Sequence, residues 1–501
     1  MARNSNPYLA LGVRPIINCC AVRTLYGGSL MLPQVKEAMA EASRQFVNLD
    51  ELMEAAGQRL AELTQAEWGM VTCGSAAAMA LATAACIAGN DPVKMLRLPF
   101  TDGMVNRVIM LRNQRFAYDQ AIRMAGAHVV EIGTRAELDA ALAEPVAMIA
   151  VLGNVEAKSA VRLEELVAVA RPRGIPVMVD AASEQLERPS PYLARGADLV
   201  VYSGGKYLRG PQTSGLLLGS KVLLQAAWRN ASPHQSLGRP MKVSKEDVIG
   251  CLAAVEHWFE TRDAAAELRR WRADLQTIAD RVARIADAVT DMIEPAGVEK
   301  VPKLRILWDT KRIPIDGDGL RRRLLEGAPR IMLDDTATSA DTIVIDPFAL
   351  QPGEAEAVGV AIALALTHAS REKPRTPEPP VAAEITGEWD LRVKFLRGER
   401  AHRLLIEQRG SEISGHQHSP DFDSPVVGRL TPEGVDFSFD YRYEGSRISY
   451  RFLGQANGRI MTGTVVLGAV TDHHQGTVNL SQFGGGDWQA SRVVPSQPGL
   501  P

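Results

Sequence analysis

Lys206 lies in Tyr202-Ser-Gly-Gly-Lys-Tyr-Leu-Arg-Gly-Pro-Gln212, directly after the apolar run Ala197–Tyr202. The run predicts a strand and the glycines a tight turn. The amine therefore sits just past a strand's carboxyl end, where open α/β sheets place ligands. A partly desolvated lysine there sheds its proton more readily and becomes a nucleophile toward an aldehyde. Asp180 ends Ile175-Pro-Val-Met-Val-Asp180, four apolar residues and then a carboxylate. Burying that carboxylate is costly unless a donor or cation partners it.

Two further segments complete a set. Cys73-Gly-Ser-Ala76 ends a strand-like run and opens the alanine-rich stretch Ala76–Ala88. The first amides of a helix there, on Gly74, Ser75 and Ala76, would receive a phosphate, and Ser203 could add a hydroxyl. Arg112-Asn-Gln-Arg-Phe-Ala-Tyr-Asp119 follows another strand-like run and offers Gln114, Phe116 and Tyr118 as a surface for a flat ring. Singly, each has an ordinary explanation: a solvated loop lysine, a helix-capping aspartate, a Gly-Ser turn. Together they are what pyridoxal 5'-phosphate (PLP) requires: an amine, an acid for the pyridine nitrogen, a phosphate cradle and a ring surface.

The elements that must hold these residues are readable from periodicity. Strand-like runs at Trp68–Cys73, Val105–Leu111, Ala127–Ile132, Ala147–Leu152, Pro176–Asp180, Asp198–Ser203 and Ser214–Leu218 alternate with helical patterns. That alternation predicts an α/β fold with a mostly parallel sheet, a PLP-binding large domain over 51–243. Ser244-Lys-Glu-Asp247 resembles a capping box opening an apolar-periodic stretch to about Val289. One or two long helices and a smaller α/β domain are expected over 244–370, with strands Leu304–Trp308 and Thr342–Ile345 and a helix Glu354–Thr367. Residues 1–50 are expected to pack with it. The proline-rich segment 371–383 reads as a linker. Over 384–495 the period becomes two, as in Val435, Phe437, Phe439, Tyr441 and Tyr443, with recurring glycine turns, which predicts an antiparallel β-barrel or sandwich.

The 501 residues exceed one compact core, and a net charge of −3 advertises no long nucleic-acid groove. Five cysteines without CxxC spacing fit a reduced, cytoplasmic compartment, and no run reaches membrane-spanning length. Five of the nine histidines, His402, His416, His418, His473 and His474, fall in the β-rich part. Solvated loop histidines are the preferred reading there, and no metal is expected.

The motifs Ile16-Ile-Asn18, Gly27-Gly-Ser29, Gly74-Ser75, Val179-Asp-Ala-Ala182, Ser203-Gly-Gly-Lys206, Gly210-Pro-Gln212 and Gly238-Arg-Pro-Met-Lys-Val243 together resemble the selenocysteine synthase and D-glucosaminate-6-phosphate ammonia-lyase family of fold-type-I PLP enzymes. The resemblance covers roughly residues 10–370, and the β-rich part resembles lipocalin-like domains. It implies Lys206 as Schiff-base lysine, Asp180 as partner of the pyridine nitrogen, and Gly74 and Ser75 in the phosphate cradle. It further implies Arg239 and Lys242, with Arg330 as a third candidate, at an anionic substrate group, and a homodimer or larger assembly. Asn113-Gln114 stands where similar proteins commonly carry a histidine.

The expected activity is a PLP-dependent lyase eliminating ammonia or a β-leaving group from a small anionic amino acid or aminosugar acid. An amino-acid racemase or epimerase is the second reading, since the same carbanion can be reprotonated on its other face. Selenium transfer on seryl-tRNA and a non-catalytic protein using its β-barrel are the others. The expected partner is a small amino substrate, with neither nucleic acid nor membrane.

Overall fold

Seven strands between Trp68 and Gly219 form one sheet, in the order Trp68–Thr72, Gly215–Gly219, Leu199–Ser203, Val177–Asp180, Met148–Leu152, Arg107–Leu111, His128–Ile132. Each lies within two residues of its sequence-predicted position. The run from Leu199–Ser203 to His128–Ile132 is parallel. Its central strands are buried along their whole length, because helices cover both faces, and this is why they read as continuous apolar runs. Gly215–Gly219 runs antiparallel to both neighbours. The connection 204–214 is too short for a parallel crossover, so the chain that carries Lys206 must turn straight back.

The computed structural model describes residues 6–335, 337–372, 383–470, 478–479 and 483–493. It has two compact units, one formed mainly by the first 369 residues and one by the β-rich remainder. In the first, the Ser244 hydroxyl accepts a hydrogen bond from the Asp247 amide (3.0 Å) and opens the helix Lys245–Glu256. A second helix, Ala264–Val282, follows. The helical stretch expected to continue to Val289 stops there: Asp287 takes a φ of +66° and leads into the strand Ala288–Ile293. This strand, Lys303–Trp308 and Thr342–Ile345 form an antiparallel sheet. The helices Gly317–Glu326 and Glu354–Arg371 contribute Leu320, Val358 and Ile362 to the core that covers it. Near the N-terminus Ile17–Cys19 pairs in parallel with Ile331–Leu333.

In the second unit eight strands, from Gly387–Lys394 to Gly485–Arg492, close an antiparallel barrel through the pairing of Ser446–Ala456 with Ile460–Val470. Alternation places Trp389, Leu391 and Val393 inside and Glu388, Asp390 and Arg392 outside. Phe437, Phe439, Tyr450, Phe452 and Trp488 fill the interior. His416 and His418 share the outer face of one strand, both exposed, and His418 pairs with Asp423. His402 points inward. His473 and His474, and most of the 371–383 segment, lie outside the described residues. Among the described residues there is no cluster suited to a metal ion, and no helix long and apolar enough to cross a membrane.

Candidate active site

The carboxyl ends of the parallel strands gather the first set of residues. Asp180, 8% exposed, ends its strand in register with Val201. Among the described residues its carboxylate accepts a hydrogen bond only from the Ala182 amide (2.9 Å). Burial pushes the Asp180 carboxyl up; the Ala182 amide and the Lys206 ammonium draw it back. Burial likewise pulls the Lys206 amine below the ordinary lysine value, against the field of Asp180. Each group thus feels the other's charge, Asp180 buried and Lys206 half-buried. A carboxylate held by one amide retains acceptor capacity for a protonated ring nitrogen, so the acid fits the cofactor.

The phosphate end is built by an unusually close approach. Gly74, with φ +96°, caps the helix Ser75–Ala88, so no side chain covers the first-turn amides, and Ala76 is exposed. Gly215 on the adjacent strand lets this loop in: a Cβ there would stand 2.3 Å from the Gly74 carbonyl carbon and 2.6 Å from the Ser75 nitrogen. Ser203, partly buried, pairs with Gly215 and so belongs to the same edge.

The Lys206 loop is clamped from two sides. A Cβ on Gly205 would lie 2.4 Å from the Gln212 Cα, so the returning chain packs directly on the turn. From the N-terminal segment, the Ser29 hydroxyl and amide both donate to the Gly205 carbonyl, at 3.0 and 3.1 Å. The Gln212 amide donates to the Thr24 carbonyl (3.1 Å) and the Leu32 amide to that of Arg209 (3.1 Å). Tyr207, next to the lysine, meets Phe348 edge-on at 5.2 Å.

Gln114 is fully buried, and its amide has protein partners at both ends: it donates to the Ser159 hydroxyl (2.8 Å) and accepts from the Leu152 amide (2.8 Å). Its loop is fixed by Asp119, which pairs with Arg115 (2.6 Å) and Arg123 (3.2 Å). Phe116 and the exposed Tyr118 form a tilted pair at 5.9 Å.

The structure does not bring all the expected cations to this edge. Arg239 and Lys242 are exposed, in a segment whose Gly238 packs on Leu81 and whose Ser236 hydroxyl donates to the Met95 carbonyl (3.3 Å). Leu81 is the middle of the helix Ser75–Ala88, about 9 Å along it from Ser75. The Gly238 amide donates to the carbonyl of Asn230 (2.9 Å), whose side chain donates to the Gly89 carbonyl (2.8 Å) at the helix's C-terminal end. Arg330 donates to the Leu325 and Arg14 carbonyls. A cation that the sequence reading did not single out, Arg23, pairs with Asp334 and is 23% exposed. It lies one residue before the Thr24 carbonyl that Gln212 engages. Glu184 and Tyr192 were missed as well, because their hydrogen bond joins residues with no shared motif.

Residues 16–304 match the family model described as L-seryl-tRNA selenium transferase, SelA. A D-glucosaminate-6-phosphate ammonia lyase of Salmonella typhimurium is 29% identical over 360 residues, covering 70% of this chain and 95% of the lyase. A 5'-C-glycyluridine monooxygenase-decarboxylase of a Streptomyces species is 32% identical over 367 residues, 70% of this chain and 90% of that protein. The solved structure of a D-glucosaminate-6-phosphate ammonia-lyase superposes with a TM-score of 0.65 at 28% identity, covering 73% of this chain and all of that one. The family model spans more than half of the chain, and both relatives match nearly end to end. The chain therefore belongs to the L-seryl-tRNA selenium transferase (SelA) family of fold-type-I PLP-dependent enzymes.

Proposed function

We propose that this enzyme is a lyase that removes ammonia or a β-leaving group from a small anionic amino acid or aminosugar acid. The observation that carries this reading is the placement of Lys206 and Asp180 at the ends of adjoining strands, within reach of each other's field, in a chain that aligns with 95% of an ammonia lyase. Gly74, Ser75 and Ala76 would hold the PLP phosphate, with the Ser203 hydroxyl beside them, and Asp180 the ring nitrogen. Gln114, buried and bonded to Ser159 and the Leu152 amide, would fix the loop that carries Phe116 and Tyr118.

Bound there, PLP supplies an electron sink for the charge left when a proton leaves Cα. Lys206 would hold the cofactor and then accept that proton, burial having made its ammonium easier to deprotonate. Asp180, ionised beside a cationic ring nitrogen, would keep that nitrogen protonated. Arg330 and the newly found Arg23 are the cations of the chain's own N-terminal and small-domain side that could face a substrate carboxylate. In a homodimer or larger symmetric assembly, Arg239 and Lys242 would serve the neighbouring subunit's site instead. Five free cysteines agree with a cytoplasmic setting.

The test is turnover of D- and L-amino acids and aminosugar acids, D-glucosaminate 6-phosphate among them, in deuterated water. Keto-acid and ammonia release is expected. α-Deuteration without keto acid would instead identify a racemase.

A further inference from the structure

Glu184 is a carboxyl that none of the roles above uses. It lies four residues past Asp180, half-buried, in the turn that leaves the strand Val177–Asp180. The hydroxyl of Tyr192, itself 5% exposed, lies 2.8 and 2.9 Å from its two oxygens. Gly153 begins the chain beyond Met148–Leu152, whose Leu152 stands in register with Asp180. A Cβ on Gly153 would come within 2.5 Å of the Glu184 Oε1 and 2.7 Å of the Tyr192 hydroxyl. The carboxyl therefore rests over the ends of two central parallel strands, on the sheet edge that also carries Asp180 and Lys206. Tyr192 fixes its orientation and Gly153 leaves it room.

We propose that Glu184, oriented by Tyr192, is a second proton-carrying group of this active site, acting on the substrate together with Lys206. Burial is the main influence on its acidity, and pushes it up to about 7. The Tyr192 hydroxyl and Lys300 oppose this, while Asp180 and Glu187 add to it. At neutral pH the carboxyl can thus both give and take a proton.

Its chemistry rests on the lyase reading. Lys206 takes the Cα proton, the electron pair of that bond becomes a Cα–Cβ double bond, and as the bond from Cβ to a hydroxyl breaks, its electron pair leaves with oxygen. The proton on Glu184 passes to that oxygen, water departs, and the new carboxylate accepts the Tyr192 hydrogen bond. Solvent then reprotonates Glu184, Lys206 gives up its proton to solvent, and hydrolysis of the enamine product releases keto acid and ammonia.

The full chain loaded with PLP, with Glu184→Gln and Tyr192→Phe, tests this on the same substrate panel. Glu184→Gln should lower the kcat for keto-acid formation by about 10²-fold or more. Its KM should stay within about threefold, α-deuterium exchange should persist, and the fall in rate above pH about 7 should vanish. Tyr192→Phe should move that limb. Keto-acid formation within about threefold of wild type in Glu184→Gln, with the limb intact, overturns the proposal. Should the wild type only exchange α-deuterium, the lyase reading falls, and inversion at Cα decides for Glu184: its loss in Glu184→Gln supports the proposal and its retention overturns it. Should no substrate turn over, difference infrared spectra decide. A carboxylic-acid C=O band that titrates near pH 7, disappears in Glu184→Gln and shifts in Tyr192→Phe supports the proposal; absence of such a band overturns it.

Discussion

The Ser29 hydroxyl donates to the carbonyl of Gly205, the residue immediately before Lys206, across 176 positions of sequence. With the Ser29 amide on the same oxygen, the N-terminal segment fixes the peptide from which the lysine projects. Ser29→Ala keeps the amide bond and loses the hydroxyl bond, at a cost of about 1 kcal/mol. PLP binding should weaken by about fivefold while the fold stays intact, as read by absorbance titration alongside circular dichroism.

Gly215→Ala probes the phosphate end. Its Cβ would meet backbone atoms of Gly74 and Ser75 rather than a movable side chain. The loop must shift, at about 1–3 kcal/mol. Melting should therefore occur at lower temperature, and the loss of PLP affinity should exceed that of Ser29→Ala.

Asp119→Asn should destabilise the ring-facing loop. The carboxylate is fully buried between Arg115, 7% exposed, and Arg123, 22% exposed. Removing its charge weakens its bonds to both guanidinium groups while Arg115 keeps its pairing with Glu131, at about 1–3 kcal/mol. Urea unfolding should show the drop, and Asp119→Glu should recover part of it.

The barrel should lose stability in mild acid. His402, 4% exposed, has its Nδ1 2.9 Å from the Gln417 amide oxygen. That oxygen's orientation is set because the Gln417 Nε2 donates to the Phe422 carbonyl (2.9 Å). Nδ1 therefore carries the proton, and burial holds the imidazole below its ordinary value of 6.5. The unfolded chain takes up a proton near 6.5 that the folded barrel refuses. The stabilisation is complete above that pH and is lost as pH falls through the folded value. The urea midpoint of the barrel transition should drop between pH about 7 and 5, and His402→Phe should flatten that dependence.

What could be read from the chain follows from how local each signal is. The buried strands announced themselves as apolar runs, and Lys206, Asp180 and Gly74 stood out because each ends or closely follows one. Gly27-Gly-Ser29 was legible as a motif, but its role needed the contact with Gly205. Gln114 reads as part of a ring-facing surface; that both ends of its amide are taken could not be read, since its partners, Ser159 and the Leu152 amide, are distant in sequence. Arg239 and Lys242 show the same limit: charge suits them to an anion, but their place along the helix Ser75–Ala88 shows only in the packing of Gly238 on Leu81 and the bond from Asn230 to Gly89. The helix expected to reach Val289 ends at Val282, and the positive φ at Asp287 turns the chain into the strand Ala288–Ile293.

The most direct test of the account is to load the purified chain with PLP, reduce it with borohydride and map the modified peptide. The wild type should show a visible absorbance band that reduction removes, with the cofactor fixed on Lys206, and Lys206→Ala should show neither band nor adduct. A band that persists unchanged in Lys206→Ala, or an adduct on another lysine of the wild type, would contradict it.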